Sequence, residues 1–199
     1  MRLGIFGGTF DPVHYGHLLA AEQCREQCRL DEVWFVPAAV PPHKAGVEIS
    51  PGKARAEMLE LAVAGLPQFR VSRMELERDG PSYTVDTLAV LRRDDPTREL
   101  FLILGADSLA DFATWREPRR VAELATILAV NRGRVTPDVS AAAQQLGREF
   151  QALVQVVEMP AVDLASTDIR RRVREGRSIQ FMTPRAVDVY LRQHNLYRV

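Results

Sequence analysis

Two histidines three residues apart, His14 and His17, sit in the segment Gly7-Gly8-Thr9-Phe10-Asp11-Pro12-Val13-His14-Tyr15-Gly16-His17. Glycine lets a main chain approach a ligand closely because it has no Cβ. A helix N-terminus collects unpaired N–H groups that attract anions. If a helix begins at Tyr15–His17, both imidazoles project to one side and form a pair of donors to a phosphate chain. The segment is not a Walker A loop, since no Gly-Lys-Ser/Thr follows at the required spacing. It also lacks the G-x-G-x-x-G of the dinucleotide fingerprint. A tight turn capped by histidines is the structural alternative, but the whole constellation between a strand and a helix argues for phosphate chemistry.

Such a loop needs a strand to deliver it and a helix to follow it. Arg2–Phe6 reads as that strand and His17–Arg29 as the helix, with Leu18, Ala21, Cys24, Arg25 and Cys28 on one side. Strands are also expected at Glu32–Val36, Leu100–Leu104, Ala125–Val130 and Val154–Glu158, with Val71–Arg78 extended. Leu100–Leu104 is continuously apolar, as in a strand buried on both faces. Helices are expected at Pro51–Gly65, Tyr83–Arg92, Ser166–Glu175 and Pro184–Asn195. Thr183 is expected as the N-cap of the last, and Gly176 as the stop of the one before it. Asn131–Ser140 reads as a loop. Alternation of strand and helix predicts an α/β fold: a doubly wound, mostly parallel sheet of Rossmann-like type. The loops after the strands then converge on one edge.

A chain of 199 residues suits one domain, taken as 1–199, and 46% hydrophobic with 26% charged residues is a globular balance. No apolar run approaches the roughly 20 residues that span a bilayer, and the N-terminus reads as a strand rather than an export signal, so a cytoplasmic protein is expected. The formal net charge of zero argues against a nucleic-acid partner. Cys24 and Cys28, four apart on a predicted helix, read as a small buried stripe rather than a redox or metal pair. Lys44 stands out because Lys53 is the sole other lysine.

Beyond these readings, the chain resembles the nucleotidyltransferase superfamily with a G-x-F-x-P-x-H-x-G-H loop, and within it bacterial nicotinate-nucleotide adenylyltransferases. The likeness extends through Pro41-Pro42-His43-Lys44, Gly80-Pro81-Ser82-Tyr83-Thr84-Val85-Asp86-Thr87, Gly105-Ala106-Asp107-Ser108, Thr114-Trp115-Arg116 and Ser166-Thr167-Asp168-Ile169-Arg170. There are departures: Ala165 stands where many relatives have serine, no proline follows Arg132, and Arg73 occupies a position that is commonly acidic.

The resemblance implies transfer of AMP from ATP to nicotinate mononucleotide, giving deamido-NAD and pyrophosphate. It implies His14, His17 and Arg170 as catalytic groups on the phosphates. ATP would rest on Gly8, Thr9, Phe10, Gly16, Gly105, Asp107, Ser166 and Thr167. Lys44, His43, Thr84, Trp115, Arg116 and Arg132 would hold the acceptor nucleotide. Each has a plainer reading: Ser166 or Thr167 as an N-cap, Asp107 as a helix cap, Trp115 as core, and Pro41–Lys44 as an exposed turn. Arg171 and Arg172 point away from Arg170 on a helical wheel and read as a solvated face, and His194 reads as structural. Mg²⁺ is expected as the ATP complex, with no metal site built from the chain. Two rivals share the fold: a pantetheine-phosphate adenylyltransferase and a non-catalytic nucleotide sensor. A tRNA-charging enzyme is disfavoured by the short chain and neutral charge.

Overall fold

A computed structural model of the chain describes residues 1–39, 49–131 and 133–198. Six strands form one sheet: β1 (Arg2–Gly8), β2 (Glu32–Pro37), β3 (Phe69–Val71), β4 (Glu99–Gly105), β5 (Thr126–Val130) and β6 (Val154–Val157). Their order is β3-β2-β1-β4-β5-β6, and every pairing is parallel. The chain therefore winds outward from the middle in both directions, and the reversal lies between β1 and β4. Ligand crevices of open α/β sheets form at the carboxyl ends of the strands at such a point. The pairing of β1 with β4 ends at Ile5 opposite Leu102, so Phe6–Gly8 and Ile103–Gly105 separate beyond it.

Alternation along the central strands supplies both faces of the sheet. Leu3, Ile5, Leu100, Leu102 and Leu104 pack into one apolar cluster, with α3 (Thr84–Asp94) and α5 (Pro118–Leu124). Phe6, Phe101 and Ile103 face the other, with α1 (Tyr15–Gln27), α2 (Gly52–Val63), α7 (Ser166–Arg174) and α8 (Arg185–Gln193). Cys24 and Cys28 are buried there as free thiols, and burial pushes both above the ordinary thiol range. Arg25 leaves that buried side and pairs with Glu22 at 2.8 Å.

The structure corrects four expectations. β3 is Phe69–Val71 and ends where Val71–Arg78 was to extend; the chain turns instead, with the Leu76 N–H donating to the Arg73 carbonyl at 2.8 Å. The reason is tertiary: the turn sends Glu75 into the interior to meet Thr87. The described residues of Asn131–Ser140 stay a loop up to Asp138, and the last two enter a helix. The Asn131 side chain exchanges two bonds with the Met159 main chain, and α6 (Val139–Leu146) is capped by Asp138. The short helix α4 (Ala106–Ala110), and α5, were not foreseen. Finally, Pro184 rather than Thr183 is the N-cap of α8. Gly176, at φ 66°, follows the end of α7 as expected.

Candidate active site

The loop after β1 is held by its carbonyls. The Thr9 carbonyl accepts from Arg55 Nη1 at 2.9 Å, Asp11 from Arg170 Nη1 at 2.7 Å, Pro12 from Ser166 Oγ at 2.9 Å and Val13 from Thr183 Oγ1 at 2.7 Å. The donors come from α2, α7 and the approach to α8. Four carbonyls of a five-residue stretch are thus committed to the protein body, as buried main-chain acceptors must be. Arg55 is 1% exposed and also donates to the carbonyls of Ser50 and Ala38, at 2.9 and 2.7 Å. Burial pulls its pKa below the ordinary arginine value, and the Asp11 carboxylate works against that pull.

His14 is the N-cap of α1, with extended backbone, and His17 is the third residue of the helix. Their rings stack at 3.7 Å between centroids, 17° from parallel. The His14 N–H donates to His17 Nδ1 at 3.3 Å, which assigns the proton of a neutral His17 ring to Nε2. A side chain at Gly16 would come within 3.0 Å of the His14 ring, and one at Gly8 within 2.9 Å of the Phe10 ring. Phe10 is 2% exposed and lies edge-on to His17 at 5.0 Å, also packing on Phe6 and Phe35. Its ring supports His17 from below.

The histidines open into a cavity of about 450 Å³ that also receives Ser166, Thr167, Arg170, Gly105 and Asp107. One face of Arg170 is tied to Asp11, and the guanidinium carries further donors of its five. The helix starts of α1 and α7 both border this space and add partial positive charge.

A second cavity, of about 520 Å³, adjoins the first. Small-molecule sites span roughly 300–1,000 Å³. Both cavities share Phe6, Gly7, Gly8, Thr9, Gly105 and Ser108 as lining. At Gly7 and Gly105 a side chain would meet no atom within 4 Å, so both glycines keep the junction clear. The second cavity is walled by Tyr83, Thr84, Trp115, Arg116, Ser82 and Glu75. Trp115 leans on Phe112 at 5.3 Å, and the Arg116 guanidinium lies 4.6 Å above the Tyr83 ring. Thr84 opens α3, where first-turn N–H groups have no partner within the helix. Glu75 is 6% exposed and accepts from Thr87 Oγ1 at 2.6 Å; burial raises its pKa, and bonds from Thr87 and Ser82 oppose the rise.

A family model described as cytidylyltransferase-like matches residues 5–172. A Thermus thermophilus protein named probable nicotinate-nucleotide adenylyltransferase is 51% identical over 198 residues, covering 100% of both chains. This chain belongs to the nicotinate-nucleotide adenylyltransferase family of cytidylyltransferase-like proteins. A family member from Thermomicrobium roseum is 45% identical, covering 99% of this chain and 92% of its own. The Plasmodium falciparum nicotinic acid mononucleotide adenylyltransferase complexed with NaAD shares the fold at a TM-score of 0.81 and 18% identity, covering 98% of this chain and 97% of that one.

For this family member, the structure brings His14, His17, Ser166, Thr167, Arg170, Gly8, Thr9, Phe10, Gly16, Gly105 and Asp107 around one cavity. Thr84, Trp115 and Arg116 line the adjoining one. Lys44, His43 and Arg132 lie outside the described residues. The N-cap of α7 is Ala165, so Ser166 is free of that duty and its hydroxyl reaches Pro12. Asp107 does not cap α4, whose N-cap is Gly105. Arg171 pairs with Asp168, and Arg172 donates to Ser178 at 2.9 Å, both off the cavity. Sequence reading missed Arg55, Thr183, Tyr197 and Glu75. Arg55 alone left a signal: it falls on the same face of its helix as Met58 and Leu59, where an arginine is buried only if fully bonded.

Proposed function

We propose that the chain transfers the adenylyl group of ATP to the phosphate of nicotinate mononucleotide, releasing pyrophosphate and forming deamido-NAD for NAD biosynthesis. The observation that carries this reading is the junction of the two cavities over Gly7–Thr9 and Gly105. One cavity is built from imidazoles, a guanidinium and helix starts, which suits a phosphate chain. The other has an aromatic wall and helix-start N–H groups, which suits a ring carrying a carboxylate.

The acceptor phosphate is already an anionic nucleophile, so no general base is required. One of its oxygens bonds to the α-phosphorus of ATP as the bond from that phosphorus to the β-phosphate bridge breaks. The pentavalent group at the α-phosphorus and the leaving pyrophosphate gather negative charge. We assign its neutralisation to His14 and His17, and the grip on the β- and γ-phosphates to the planar fork of Arg170. Ser166, Thr167 and the Gly8–Thr9 main chain supply further donors, and Asp107 accepts from the adenosine ribose. Trp115 is assigned as the platform under the pyridine, with Thr84 and Arg116 toward its carboxylate. Members of this enzyme class take ATP with a divalent metal, and we assign Mg²⁺, entering as part of that substrate. No three His, Cys, Asp or Glu side chains among the described residues form a group able to hold a metal ion. We propose that the ion rests mainly on phosphate and water. We further propose that the chain works as a single domain in the cytoplasm.

The test supplies Mg²⁺·ATP with nicotinate mononucleotide, its amide analogue or phosphopantetheine, and follows pyrophosphate and the mass of the product. Turnover with phosphopantetheine alone, or with no acceptor, overturns the reading.

A further inference from the structure

Asp11 lies inside the phosphate loop and is 2% exposed, yet it does not line either cavity. Oδ1 accepts from the hydroxyl of Tyr197 at 2.5 Å, and Oδ2 from the Ser50 N–H at 3.2 Å. Tyr197 comes from the turn after α8, where Leu196 and Tyr197 pack against the apolar cluster that also holds Phe10 and Val13 of the loop. Arg55 approaches from α2 and bonds the carbonyl two residues before Asp11. Arg170 holds the Asp11 carbonyl itself. One residue is thus gripped at both its side chain and its main chain by groups far apart in sequence, three residues upstream of His14.

We propose that Tyr197 is a positioning residue for adenylyl transfer: its hydroxyl, through Asp11, locks the phosphate loop in the form that aims His14 and His17 at the substrate. The proposal rests on the function assigned above. Burial and the Asp11 charge both push the phenol above its ordinary range, so it stays a donor throughout the working pH range. The bond is charge-assisted and shielded from water, the setting in which one hydrogen bond has its largest effect. Loss of the hydroxyl leaves the carboxylate with a missing donor and lets the loop sample other forms. Misplacement by about an ångström is enough to cost a large factor in rate.

The variant is Tyr197→Phe, which keeps the ring and removes the hydroxyl. Its control is Tyr190→Phe. Tyr190 makes the same kind of bond, to Glu57 at 2.5 Å between α8 and α2, so its hydroxyl is tied to α2 and not to Asp11. Tyr197→Phe should lower kcat for pyrophosphate release roughly tenfold with little change in KM for nicotinate mononucleotide. Tyr190→Phe should lower thermal stability while keeping kcat. The double variant Tyr197→Phe with Asp11→Ala should be no slower than Asp11→Ala alone, because both break one link. Amide hydrogen exchange over Gly8–His17 should quicken in Tyr197→Phe and not in Tyr190→Phe, a readout that does not depend on turnover. Unchanged exchange in Tyr197→Phe, or equal rate losses in both single variants, would overturn the lock. Absence of turnover by the unaltered protein would overturn the functional reading alone, leaving the exchange result to decide the lock.

Discussion

His17→Ala separates chemistry from architecture at this site. The imidazole stacks on His14 at 3.7 Å and lies edge-on to Phe10 at 5.0 Å, so its removal loses contacts as well as a donor. The contact loss should lower stability by about 1 kcal/mol, the common size for a partly exposed side chain. The loop should nonetheless keep its form, because the four carbonyl bonds from Arg55, Arg170, Ser166 and Thr183 do not involve His17. What disappears is a donor aimed at charge that develops during transfer. Loss of one such donor lowers kcat by roughly 10²–10³-fold, or about 2.7–4 kcal/mol of transition-state stabilisation. The assay is initial-rate pyrophosphate release over a matrix of ATP and nicotinate mononucleotide concentrations, with thermal melting to establish folding. The expected pattern is a deep fall in kcat with a much smaller change in KM for ATP. A folded variant with near-normal kcat would refute the assignment. A raised KM with kcat intact would make His17 a ground-state contact only.

Arg170→Lys keeps the charge but cannot both bond the Asp11 carbonyl and present a two-pronged contact, so kcat/KM for ATP should fall at least tenfold. Arg171→Lys, whose partner Asp168 lies off the cavity, should be nearly silent in the same titration, and equal losses would refute the distinction. Nicotinate mononucleotide should be preferred over its amide by on the order of tenfold to a thousandfold in kcat/KM, because N–H donors at Thr84 suit a carboxylate and oppose an amide N–H₂. Equal kcat/KM values would reject the pocket assignment while leaving adenylyl transfer intact. Burial raises the pKa of Glu75, so the folded state favours its neutral form. The resulting contribution is present below the unfolded carboxylate pKa and is lost as pH rises through the folded value. The stability of the unaltered protein minus that of Glu75→Gln should therefore decline across that window, and a pH-independent difference would contradict the burial argument.

The fold was legible because its central strands carry their pattern in the residues themselves. Leu100–Leu104 is apolar at every position because both faces of β4 are covered, and the loop after β1 announces itself by glycine and histidine. That His14 and His17 share one side of α1 followed from spacing once the helix was placed; that their rings stack did not. β3 was misread for a physical reason. Its three paired residues give a weaker pattern than the alternating stretch after it, and that stretch bends because Glu75 has a buried partner on α3. The short helices α4 and α5 lack the length over which a helical period can be recognised.

The supports of the phosphate loop were illegible for a different reason. Every residue has a carbonyl, so the identities of Thr9, Asp11, Pro12 and Val13 carry no mark of the bonds their main chains accept. The donors are equally silent: Thr183 has the composition of an N-cap and sits where one was expected, yet its hydroxyl is spent on Val13, 170 residues away in sequence. Local and distant uses of a threonine hydroxyl cannot be told apart before the fold brings the acceptor near. Asp11 and Tyr197 differ from these, because there the acceptor is a side chain and both identities are required. Replacing the Thr9 or Val13 side chain leaves its carbonyl bond possible, whereas an apolar residue at Asp11 removes the acceptor outright. Side-chain identity in this loop therefore matters at its histidines, at Phe10, at Gly8 and Gly16, and at Asp11, while the residues that hold its carbonyls are constrained at the donor end alone.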